Sequence, residues 1–253
     1  MSSVSIASIV FACVFGSALL GMFVRTKLPV HHLNQDSKDV VKLAMGLIAT
    51  MAALVLGLLT ASAKAEFDTQ TSELQQAAAK VIQLDRVLAH YGPETNALRD
   101  GLRQMITNRI QMTWPEESET PKKVDASVMT PVAEGFIHKI RALVPQGDDQ
   151  HDLQAQAVQL GGDMLAMRWL MFTQESSPLP FPFLVVLVLW LSVLFGSFGL
   201  FAPRNATVVA TLLLCAVAVS SSIFLILEMN KPMEGLIKIS SAPLHFALSQ
   251  LGK

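Results

Sequence analysis

The sequence predicts an all-α protein with four transmembrane helices and a helical extramembrane domain inserted between the second and third. Three observations predict it. Hydrophobic residues make up 51% of the 253 positions and charged residues only 15%, a balance unlike that of a soluble domain. The excess is gathered into four blocks without a charged side chain, residues 4–24, 43–63, 183–201 and 208–227. At about 1.5 Å rise per residue each of them crosses a hydrocarbon layer of ~30 Å. Between the second and third blocks the pattern changes to apolar residues at heptad spacing among charged and amide side chains, which reads as a helical bundle in water. The expected division is 1–63 for two spans and their loop, 64–182 for the extramembrane domain, 183–227 for a transmembrane hairpin and 228–253 for an interfacial C-terminal segment.

Taken in order, the first block lacks the basic start of a secretory signal and is longer than its apolar core of about 7–15 residues, so it is read as a retained span. The linker RTKLPVHHLNQDSKDVVK follows, with Asn34, Asp36 and Ser37 as candidate N-caps. From Asp36 the next firm stop is Gly92-Pro93. The spacing predicts one helix of about 55 residues, on the order of 80 Å long, that crosses the membrane and continues beyond it. Past the membrane, Phe67, Leu74, Val81 and Leu88 recur at intervals of seven, and Leu153, Leu160 and Met167 form a second such stripe. These stripes are expected to pack on each other and on a helix over 94–113. Acidic Asp148, Asp149 and Asp152 mark the start of the helix that carries the second stripe, where the helix dipole favours them. PLPFP marks re-entry into the membrane, and Asn205 caps the fourth span after the short turn APR, which makes spans three and four an antiparallel hairpin.

Charge excludes one class of partner. Residues 64–182 carry 11 Lys/Arg against 16 Asp/Glu, and an acidic domain is not built to hold nucleic acid phosphates. Lys and Arg near the span ends divide evenly between the two sides over a window of about 17 residues, so the positive-inside rule leaves orientation open.

Catalytic signatures are lacking. No nucleophile elbow, glycine-rich phosphate loop or Cys/His metal spacing occurs, so neither an enzyme nor a cofactor is expected. Cys13 and Cys215 lie inside apolar blocks and read as packing residues. His31 and His32 with Asp36 form the most suggestive polar cluster, but two adjacent histidines do not make a zinc site. Together with Arg25, Lys27 and Lys38 they are the candidate polar mouth of a conduction path. Small residues, among them Gly16, Ser17 and Gly21 in the first span and Ser192, Gly196 and Gly199 in the third, read as notches for close helix contact. On the second span Leu47, Met51, Leu54 and Leu58 share one face at heptad spacing. Around an oligomer axis they would form an apolar ring that gates by dewetting, and they are the candidate pore-lining residues.

The stretches HHLNQDSKDVVKLAMGLIATMAALVLGLLTASAKAEFD, LDRVLAHYGPE and PFLVVLVLWLSVLFGSFGLFAPRNATVVATLLLCAVAVSSSIFLILEMNKPMEGLIKISSAPL resemble the bestrophin-like domain-of-unknown-function family of bacterial membrane proteins. The resemblance covers most of the chain except the first span and the region from about Trp114 to Gln150. It implies four spans per subunit, a helical domain between spans two and three, residence in a bacterial inner membrane, and a homo-oligomer, pentameric in bestrophins, that forms an anion channel in the lipid bilayer. The alternative on the residues alone is a non-conducting scaffold or sensor whose acidic domain binds another protein.

Overall fold

The computed structural model describes residues 2–27, 35–115, 126–174, 181–203, 205–233 and 235–253, with 35–38, 126–133, 168–174 and 181 described as backbone only. Eight α-helices and one 3-10 turn occur among them, and no strand. Four helices are long and apolar enough to cross a membrane. The chain divides into two compact units, Met1–Phe67 with Pro178–Ile237 and Asp68–Ser177 with Lys238–Lys253.

The first unit holds α1 (Ser3–Arg25), the first part of α2 (Gln35–Tyr91), α6 (Phe181–Phe201) and α7 (Ala206–Met229). Ser2 caps α1 by accepting from the Ser5 N–H at 3.2 Å, and Asn205 caps α7 by accepting from the Val208 N–H at 3.4 Å. Its core is aliphatic, with Val14, Ala18, Leu187, Ala216 and Ile223 fully buried. Helices α1 and α6 pack closely, and glycines make it possible. A Cβ on Gly21 would run into the Gly196 carbonyl, and one on Gly199 into the Ala18 carbonyl. Bare backbones therefore touch, which is how helices gain dispersion contact where no hydrophobic effect drives them together. Gly16, by contrast, faces open space.

One ionisable side chain of this unit lies buried at the end of a span. Glu228, just past the uncharged run 208–227, is 5% exposed in the last turn of α7. Its carboxylate accepts from the Leu236 N–H, so the chain after α7 folds back onto the helix end. Gly235 sits where any Cβ would meet that carboxylate.

The second unit contains the rest of α2, a 3-10 turn at Pro93–Thr95, α3 (Asn96–Thr113), α4 (Ala126–Arg141), α5 (Asp148–Gln174) and α8 (Ala242–Gln250). Helix α2 stops at Gly92, whose φ of +137° suits glycine and not an L side chain. The heptad residues Leu74, Ala78, Val81, Leu84 and Leu88 are buried, as is the α3 stripe Leu98, Leu102, Ile106 and Ile110. Helices α4 and α8 were not expected from the sequence. Helix α4 packs on α5, where Ile137 lies against Gly161, with Phe136 and Ile140 buried, and α8 lies against α3 with Leu244 and Ala247 buried. Two glutamines one turn apart on α5 satisfy orphan carbonyls at other helix ends. Gln150 donates to Tyr91 O at 2.8 Å, closing α2, and Gln154 donates to Ile140 O at 3.0 Å and Leu143 O at 2.8 Å, closing α4. Trp114 donates through Nε1 to Ile239 O at 2.8 Å, tying the C-terminal segment to the end of α3.

Candidate functional site: the uncovered face of helix α2

Within the first unit, the apolar part of α2 has two faces. Met45, Ala52, Leu59 and Ala63 are buried in the core. At about 100° per residue, Leu47, Met51, Leu54 and Leu58 project from the opposite side, and they are 64%, 47%, 73% and 63% exposed. Val40 and Leu43 extend the exposed face toward the start of the helix. Sequence reasoning starts the stripe at Leu47; the interval of seven from Val40 to Leu47 to Leu54 is the signal that could have moved it back. Thr50 adds little polarity, because its hydroxyl donates to the Leu47 carbonyl at 2.8 Å. No charged side chain lies between Lys42 and Lys64.

Exposure alone does not single out this helix. Leu20, Leu189 and Leu214 on the other spans are as open, and lipid tails cover such residues. What separates α2 is extent. Only 11% of its most apolar stretch is buried, against 28% for each of the other three spans. Its own chain covers one narrow edge of it.

The polar residues expected at the mouth are only partly described. Arg25 ends α1, and its Nη1 donates to the Ala202 carbonyl just beyond α6, so this cation closes a helix end where the dipole favours it. Lys27 is exposed. His31 and His32 lie outside the described residues, and Asp36 and Lys38 are described only as backbone at the start of α2. Lys42 pairs with Asp39 at 3.3 Å, both more than half exposed, a pair worth under about 1 kcal/mol. Among the described residues no three His, Cys, Asp or Glu side chains converge into a metal-binding group.

The Bestrophin-like domain profile matches residues 12–244. Among solved structures, a bacterial bestrophin homologue from Klebsiella pneumoniae carrying a Tyr-to-Ala substitution is 13% identical, with a TM-score of 0.61 and 96% of each chain covered. The same homologue carrying a Trp-to-Ala substitution gives 13% identity and a TM-score of 0.60 over 99% of this chain and 97% of that one. A structure described as a membrane protein with a Pro-to-Ala substitution gives 13% identity and a TM-score of 0.57 over 94% and 97%. These likenesses show the fold. No curated protein matches the sequence.

Proposed function

The chain belongs to the bestrophin-like family, and from that membership and the bare apolar face of α2 we propose that it is a homo-oligomeric ion channel whose constriction is built by α2. The carrying observation is that the most apolar part of this helix is 11% buried where the other spans reach 28%. Copies related by an axis would set Leu47, Met51, Leu54 and Leu58 in stacked rings. A narrow ring of such side chains offers water no hydrogen bonds, so the column dries and ions stop without any moving plug. A pentamer is the expected assembly. Anions are the expected cargo on the family resemblance: residues 25–42 carry Arg25, Lys27, Lys38 and Lys42 against Asp36 and Asp39 and favour anions at that mouth, whereas the 11 Lys/Arg against 16 Asp/Glu of residues 64–182 favour cations at the other.

Flux from proteoliposomes tests the reading. The wild type is expected to pass chloride slowly and Leu54→Ser to pass it faster, since one hydroxyl per subunit wets the ring. If neither releases chloride or potassium above empty liposomes, the channel is excluded and a non-conducting scaffold takes its place.

A further inference from the structure

The second unit carries a cavity of about 160 Å³ that is open to solvent on one side. Its walls come from α2, α3, α4, α5 and α8, and include Leu84, Met105, Phe136, Met164 and Met167. An engineered cavity of about 150 Å³ with a comparable aliphatic and aromatic lining stays dry and takes up benzene. This one therefore has room for an apolar group of about six carbons among walls that are mostly apolar. Three methionines add polarizable, unbranched side chains that adapt to ligands of different outline. Among the described residues one charged side chain, the half-buried Arg109 of α3, also lines it. Arg109 has a further interaction within the chain, and five N–H donors in a planar fork let one guanidinium serve that contact and a carboxylate together.

We propose that this cavity binds a small amphiphilic carboxylate, its aryl or alkyl group among the methionines and its carboxylate on Arg109. The site is separate from the α2 face and does not depend on whether the protein conducts.

Calorimetric titration of the full-length protein in lipid nanodiscs, where no detergent competes, tests it with 4-phenylbutyrate as the probe and its uncharged amide as the control. Saturable binding of one probe per chain is expected. Ala77→Phe, which places a ring in the cavity, should abolish it. Arg109→Gln should weaken the carboxylate roughly tenfold, as loss of a charge-assisted contact does, and leave the amide unchanged. Should Ala77→Phe fail to assemble, ¹³C-methyl methionine spectra decide instead, since the probe should shift Met105, Met164 and Met167 and not Met45 or Met229. Non-saturable uptake, full affinity in Ala77→Phe, shifts confined to Met45 and Met229, or equal loss of acid and amide in Arg109→Gln would each overturn the proposal.

Discussion

Among the described residues of the second unit Asp85 is the most deeply buried charge, with its side chain 1% exposed, and Arg99 holds it through Nε at 2.8 Å and Nη2 at 3.0 Å. The Gly252 N–H adds a third contact at 3.3 Å. Burial alone would raise the Asp85 pKa; the Arg99 hydrogen bonds, the Gly252 N–H and the charges of Arg99 and Arg86 outweigh it and hold the carboxyl below the usual carboxylate value. The folded pKa being depressed, its stabilisation is complete above the unfolded value of about 3.9 and is lost as pH falls through the folded value. Asp85→Asn should therefore cost about 3 kcal/mol at pH 7, because it strands a largely buried guanidinium. Its melting temperature should then fall less than that of the wild type between pH 4 and pH 2. Equal acid sensitivity of the two proteins would remove Asp85 from this role. The pair was not legible in the sequence. Residues 85 and 99 stand on different helices across the Gly92 turn, and only the angle at which α3 returns along α2 brings them together. Gln154 was equally silent, since a glutamine on an amphipathic helix reads as solvated until the open carbonyls of α4 are seen beneath it.

At the level of elements, the long helix was readable because it needed only the absence of breakers. A 57-residue α2 ends at the Gly92 that was expected to stop it. Helix α4 was missed for the converse reason. Pro131 and Gly135 stand inside it, propensities that argue against a helix, yet burial of Phe136 and Ile140 is worth more than the backbone penalty. Helix α8 is only nine residues long and has Pro243 in its first turn, where proline is tolerated. Two substitutions test the elements. Proline at Ala78, a buried position inside the last third of α2, should cost about 3 kcal/mol or more and be seen as a lowered melting temperature with loss of helical circular dichroism. Wild-type stability there would contradict a continuous helix. In the α1–α6 pair the sequence marked several small residues without telling which ones touch. The carbonyl contacts of Gly21 and Gly199 predict that Gly199→Val destabilises by roughly 1–3 kcal/mol, whereas Gly16→Ala, facing open space, stays within about 0.5 kcal/mol of wild type. Thermal unfolding of both in detergent should separate them, and a Gly199→Val protein as stable as Gly16→Ala would mean that the backbones do not meet.

Over the whole molecule, the four spans were legible because a charge-free run of spanning length has little place in a water-soluble fold. The face proposed to line a pore was legible only in part. Helix α2 carries apolar residues at intervals of seven on both sides, Met45, Ala52 and Leu59 on one and Leu47 and Leu54 on the other, and periodicity cannot say which side the chain covers itself. The fold resolves that by burying the first set and leaving the second bare. Lipid and a neighbouring subunit remain as covers for the bare set, and they make different predictions for proximity between copies. In a protein with Cys13 and Cys215 replaced by alanine, a single cysteine at Leu54 should be joined between subunits by a short bis-maleimide, giving dimers and higher species on a denaturing gel. A cysteine at Leu214, similarly exposed on α7, is the comparison. If α2 surrounds an axis, every Leu54 position faces its symmetry mates, so cross-linking there should be efficient and independent of protein dilution in the membrane. If α2 faces lipid, Leu54 and Leu214 should cross-link to the same low extent, falling together as the lipid-to-protein ratio rises. That result would remove the ring of leucines, and with it the proposed mechanism of gating.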